Sequence, residues 1–155
     1  MNKLLSTDAS NWPALIARLA LGITIFPHGA QKLLGAFGGY GYTGTMGFLT
    51  TQAGLPYIFA LLVILIEFFG SLFLIFGFLT RLAAIGFAGL FLGIVLKVHA
   101  ANGFFMNWGG TQKGEGFEFF ILLFGLVIIS LISGGGKASV DSVLANRKLV
   151  GKPNF

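Results

Sequence analysis

The sequence predicts an all-α fold, a four-helix transmembrane up-down bundle. Long apolar runs, scarce charge and the placement of basic residues predict it. Of 155 residues, 55% are hydrophobic and only 10% charged, against about 25% charged in an ordinary soluble domain. Mean hydropathy is +0.88. A water-soluble chain this small has no core able to hide so much apolar surface, so the bilayer is the expected solvent. Unbroken apolar runs exclude barrel strands, which alternate. Backbone groups in lipid need internal partners, which leaves helices. The length fits one domain, residues 1–155.

The first expected span is about Trp12 to Leu34, retained rather than removed as a targeting peptide, because no convincing cleavage site follows a short apolar region. The second runs from about Tyr57, after Pro56, to Leu79. The third runs from about Leu82 to His99, after a short connection at Thr80–Arg81. The fourth covers about Phe117 to Ser133 and is expected to gain a first turn from Gly114 to Gly116. About 20 residues at 1.5 Å each cross the hydrocarbon.

Basic residues orient the spans. Lys3, Arg18, Arg81, Lys137, Arg147, Lys148 and Lys152 fall on the side of the termini, against Lys32, Lys97 and Lys113 on the other. That bias places both termini in the cytoplasm. The tail from Ser139 to Leu149 reads either as a short interfacial helix, capped by Ser139 with Asp141 in its first turn, or as a disordered basic tail. The charge-free segment from Gly35 to Gly54, rich in glycine and aromatic residues, is expected as a lid over the outer mouth, or else as a connector.

This threading brings ionisable residues toward one leaflet. His28 and Lys32 share a face near the outer end of the first span. Glu67 interrupts the apolar stretch Leu61–Phe69. A central acidic residue opposes insertion by about 2.5–3.5 kcal/mol, so Glu67 should face inward and find a partner, Lys32 or a histidine. Lys97 and His99 lie about 200° apart on an ideal helix, so one is expected to reach the surface. Lys97 is the more natural snorkeller and His99 the stronger cavity candidate. Glu115 and Glu118 begin the fourth span at the same level. His28, Lys32, Glu67, His99 and Glu118 form the candidate catalytic set, with Phe104 and Phe105 lining an apolar ligand entrance beside His28 and Glu67. The competing expectation is an ion pair that fixes packing. Arg18 is expected to snorkel and Arg81 to anchor orientation.

Other chemistry is excluded. There is no cysteine, which removes thiolate nucleophiles, disulfides and cysteine-ligated clusters. Two histidines give no metal or haem motif. GYGYTG at Gly39–Gly44 matches a dinucleotide fingerprint but follows a membrane helix rather than a strand. The net charge of +5 has no basic run of five, which sets nucleic acid aside and leaves anionic lipid as the partner. GLFLG at Gly89–Gly93 is a helix-packing match compatible with a homo-oligomer or another subunit.

The distributed motifs resemble the DoxX family of small bacterial four-span membrane proteins. They are RLALG at Arg18–Gly22, HGAQKL at His28–Leu33, the glycine-rich segment after it, and the E–F–F–G run at Glu67–Gly70. GFLTRLAA at Gly77–Ala84, KVHAANGFF at Lys97–Phe105, GEGFEF at Gly114–Phe119 and GGGKASVD at Gly134–Asp141 complete the order. The resemblance implies a multi-pass protein of the bacterial cytoplasmic (inner) membrane. It also implies a component of a quinone-linked redox system working with redox-enzyme subunits; the residues themselves carry no intrinsic flavin, haem or metal motif. His28, Lys32, Glu67, Arg81, His99 and Glu118 carry over as site candidates. The alternative function is a non-enzymatic assembly factor or a proton-linked small-molecule transporter.

Overall fold

A computed structural model describes residues 4–150. Lys3 and Lys152, both used in the charge-bias argument, lie outside the described residues. Six helices are present among the described residues: α1 (Trp12–Leu34), α2 (residues 41–52), α3 (Tyr57–Phe76), α4 (Thr80–Asn102), α5 (Glu118–Ser133) and α6 (Val140–Val150).

Three of these, α1, α3 and α4, are long and apolar enough to cross a membrane, with 23, 20 and 23 residues. The expected fourth span is corrected. Helix α5 has 16 residues, about 24 Å at 1.5 Å per residue, short of a hydrocarbon core about 30 Å thick. Its expected extra turn is absent because those backbone groups bond elsewhere. The N–H groups of Gly116, Phe117 and Glu118 donate to the carbonyls of Phe105, Gly103 and Phe104 at 3.1, 3.2 and 2.9 Å. The loop thereby satisfies donors that a helix start leaves open. The architecture is thus three spanning helices with a shorter apolar helix, a lid helix and a tail helix, rather than four spans.

Local chemistry sets the boundaries. Asn11 caps α1, its side chain accepting from Ala14 N at 3.0 Å, and Pro13 suits the first turn. Gly35 ends α1 at φ 72°, a left-handed position that glycine adopts freely. The second helix stops at Phe76, earlier than the expected Leu79, because Gly77 takes φ 65°. Thr80 and Arg81 accordingly belong to α4 and not to a connection.

Helix α1 packs against α2, α3 and α5, and α4 packs against α3 and α5. The main core joins Leu21 and Ile25 of α1, Leu74 of α3, Phe87 and Phe91 of α4, and Leu123 and Val127 of α5. A smaller core seats Met46 of α2 on Ala60 and Ile64 of α3. The glycine-rich segment therefore contains a packed helix, not only a connector. It sits at one end of the bundle, here the lid end. At the opposite end, the tail end, Thr7 Oγ1 donates to Ser133 O at 3.0 Å, holding the segment before α1 against the end of α5. Helix α6 starts there, capped by Ser139, whose hydroxyl accepts from Ser142 N at 3.1 Å.

Candidate functional site

The strongest polar contact at the lid end joins α1 to α3. Lys32 Nζ donates to Glu67 Oε2 at 2.5 Å. Glu67 is 4% exposed. It sits in a π-helical turn, Ile66–Gly70, a local widening often found at functional positions. Ser71 Oγ supports the turn by donating to the carbonyls of Glu67 and Phe68 at 2.6 and 2.8 Å. Gly29 lets α1 come up against it: a methyl group there would lie 2.5 Å from the Glu67 carbonyl carbon. Lys32 and Glu67 thus meet because a glycine on one helix faces a π-turn on the next.

Beside this pair lies a cavity of about 720 Å³ between the end of α1 and the lid. Gln31, Lys32, Gly38, Gly39, Tyr40, Gly44, Thr45, Gly47, Phe48, Leu49, Thr51 and Gln52 line it. No carboxylate lines it directly, so the ammonium of Lys32 is its charged group. Glycine backbone, the uncharged polar side chains of Gln31, Tyr40, Thr45, Thr51 and Gln52, and the apolar Phe48 and Leu49 form the rest, the mixed lining of a small-molecule site. Tyr42 on the lid and Tyr57 on α3 share a hydrogen bond of 2.9 Å between their hydroxyls, tying α2 to the bundle. Both hydroxyls are exposed. That bond pushes the Tyr42 phenol above its ordinary value, with a smaller contribution from burial.

The other expected site residues lie apart from this pair. His28 is exposed and makes no hydrogen bond or ion pair among the described residues. His99 Nδ1 lies 2.8 Å from Glu115 O, and its ring packs on Phe120 with centroids 4.8 Å apart. Lys97 is exposed. Both lie in a π-helical turn over Val95–His99, which leaves Lys97 outside and His99 against the 103–117 loop. Glu118 Oε1 accepts from Met106 N at 3.0 Å and from Trp108 Nε1 at 3.3 Å. Glu115 Oε2 accepts from Asn107 N at 2.6 Å. Both carboxylates therefore organise the 103–117 loop. Phe104 and Phe105 are exposed, with edge-to-face contacts to one another and from Phe104 to Phe117. No hydrogen bond or ion pair joins this loop cluster to Lys32–Glu67 among the described residues.

Two arginines play parts that sequence reasoning missed. Arg18 does not snorkel: it is 1% exposed. Its guanidinium donates to the carbonyls of Leu74, Ile75, Gly135, Lys137 and Ala138 at 2.6–3.1 Å. Leu74 and Ile75 lie in the last turn of α3, so the cation meets the carbonyls of a helix C-terminus: Leu74 O shares it with Gly77 N, and Ile75 O has no other donor among the described residues. Arg81 does the same for α5, donating to Leu131 O and Ile132 O at 2.9 Å each, and also to Ser6 O. Asp141 completes this end: its carboxylate accepts from Leu79 N at 2.8 Å and Thr80 N at 3.0 Å, capping α4 from a distant part of the chain. The sequence signal was present in RLALG and RLAAIG, two arginines near the starts of helices whose neighbours end in Leu-Ile-x-Gly.

The family model described as DoxX matches residues 14–100. Inner membrane protein YqjF of Escherichia coli (strain K12) is 31% identical over 134 residues, covering 86% of this chain and 92% of that protein. No solved structure matches the chain. The three long apolar helices and this relative make the chain a multi-pass membrane protein. Because the match takes in both residues of the Lys32–Glu67 pair and more than half of the sequence, the chain belongs to the DoxX family of small bacterial membrane proteins.

Proposed function

We propose that this protein is a membrane component of a quinone-linked redox system and that the lid-end cavity holds the head of a quinone or a similarly amphipathic molecule. The observation that carries this reading is the Lys32–Glu67 pair at the edge of a cavity of about 720 Å³. An ammonium has three donors and Glu67 uses one of Lys32's, so Lys32 can also donate to a ring oxygen. Glu67, which does not itself line the cavity, accepts from Lys32 and holds its ammonium at the cavity edge. Reduction of a quinone takes up a proton at each ring oxygen. Exposed His28, one turn before Lys32 on α1, exchanges protons with the surroundings in this scheme. His99, Glu118, Phe104 and Phe105 shape the neighbouring loop and have no direct ligand contact in it. Electrons come from a partner redox subunit, since the chain has no cysteine.

In this proposal the membrane is the bacterial cytoplasmic membrane. The tail end, with Arg18, Arg81 and Lys137, faces the cytoplasm by the positive-inside bias. A second reading, a non-enzymatic assembly subunit, is favoured by one observation. Gly89 and Gly93 are exposed on α4, and a methyl group at either would meet nothing within 4 Å, which leaves that face open to a partner helix or a second copy.

The test is titration of short-tailed ubiquinone and menaquinone analogues into the full chain in lipid nanodiscs. Wild-type protein is expected to bind saturably. Lys32→Met is expected to weaken binding about tenfold, the worth of one charge-assisted hydrogen bond. No saturable binding, and no redox coupling with the native partners present, would overturn the redox reading in favour of assembly.

A further inference from the structure

One buried hydroxyl in the cavity has no protein partner. Thr45 is 6% exposed and lines the cavity from the lid helix. Its neighbours Thr50 and Thr51 close their hydroxyls back onto the helix, donating to Met46 O at 2.8 Å and Gly47 O at 2.6 Å. Thr45 makes no such bond among the described residues. Its oxygen is not sealed in either: the enclosed, unpartnered side-chain oxygen among the described residues belongs to Thr80. A hydroxyl without a protein partner, on a nearly buried residue that lines a cavity, is costly to leave unpaired unless something else binds it. The cavity's charged donor, Lys32, also retains bonding capacity beyond Glu67. Besides the half-buried Gln31 and the exposed Tyr40, Thr51 and Gln52, the cavity therefore offers one occupant the hydroxyl of buried Thr45 and the ammonium of Lys32, on separate elements.

We infer that Thr45 is the specificity-determining residue of the cavity, binding a second oxygen of the ligand's head while Lys32 binds the first. This rests on the proposed quinone-type ligand and narrows it to heads that carry an oxygen at two ring positions. The residue type suits both redox forms. A threonine hydroxyl donates to a quinone carbonyl and accepts from a quinol hydroxyl, whereas an ammonium only donates. The lid's own packing holds Thr45 in place, since the adjacent Met46 is anchored against Ala60 and Ile64. Gly44 and Gly47, also cavity-lining, add no side chains of their own on either side of Thr45.

The test uses the full chain in nanodiscs, with a decyl-benzoquinone and the corresponding ring that lacks one of the two oxygens. Thr45→Val keeps the side-chain shape and removes the hydroxyl. Thr45→Ser keeps the hydroxyl. The expected result is about five- to tenfold weaker quinone binding for T45V, from one lost hydrogen bond. T45S should stay near wild type, and the one-oxygen ring should bind T45V and wild type equally. Thermal unfolding of T45V within a few degrees of wild type separates lost binding from lost folding. Unchanged quinone affinity in T45V, with wild type binding saturably, would overturn the role of Thr45 and leave the quinone site standing. Equal weakening of both rings would overturn it too, by showing a general effect on the lid. Absence of saturable binding by wild type would overturn the quinone reading itself, and the role of Thr45 with it.

Discussion

Replacing Arg18 separates two accounts of a cation inside a spanning helix. If Arg18 merely reached for water, Arg18→Lys would be silent and Arg18→Met would cost under about 1 kcal/mol, since exposed charges contribute little. The structure gives a different expectation. The guanidinium is enclosed and bonds five carbonyls at 2.6–3.1 Å. A hydrogen bond to a charged group is worth about 1.5–3 kcal/mol net, and five independent ones would rival a domain's whole stability of about 5–15 kcal/mol. They act as one unit, and removing the charge also removes its desolvation cost. Each stranded carbonyl costs about 1–3 kcal/mol, and at least Ile75 O at the end of α3 and Gly135 O in the turn before α6 have no other donor among the described residues. The expected loss for R18M is therefore about 4 kcal/mol. At about 2–4 °C per kcal/mol for a chain of this size, melting in detergent should fall by about 8–16 °C. R18K keeps the charge but not the planar fork, so about half the loss should remain. A melting temperature within about 2 °C of wild type for both variants would refute the clamp.

Gly29→Ala should destabilise the bundle and disturb Lys32–Glu67, because the added methyl meets the Glu67 carbonyl carbon at 2.5 Å on backbone that has little room to move. Gly89→Ala, which meets nothing within 4 Å, should be neutral to slightly stabilising, by up to about 1 kcal/mol; detergent melts of the two variants check the contrast, and equal behaviour would count against the close α1–α3 approach. Tyrosinate absorbance should show one phenol titrating above the ordinary range, and Tyr57→Phe should return it toward that range, because Tyr42 is raised by its bond to Tyr57. The sign follows from a raised folded-state value: the pair's contribution to lid docking is fully present below the ordinary tyrosine pKa of 10.0 and is lost as pH rises through the raised one.

Which parts of the site were legible depended on how far each residue's partner lies along the chain. Glu67 stood out because a carboxylate in an apolar run must find a partner, and Lys32 was one of its expected partners. Glu118 looked equivalent, yet its carboxylate is taken by Met106 N and Trp108 Nε1. The amides of an irregular loop need acceptors, and nothing in hydropathy reveals which acceptor will serve them. Arg18 was misread for a related reason. A cation about one and a half turns into a span resembles a snorkelling residue until the ends of α3 and the 135–138 turn are seen to surround it.

By itself, the sequence determined an all-helical membrane chain, three of its four expected spans within a few residues, and the carboxylate, Glu67, that had to face inward. Those follow from local hydrophobicity and from the cost of charge in lipid, which act residue by residue. Only the tertiary structure decided that the fourth apolar helix falls short, because its first amides bond to the 103–105 carbonyls instead of winding another turn. The same holds for the arginine clamps and for the cavity closed by the lid. Hydrogen bonds and close packing are settled by which distant groups meet, and hydropathy does not record that.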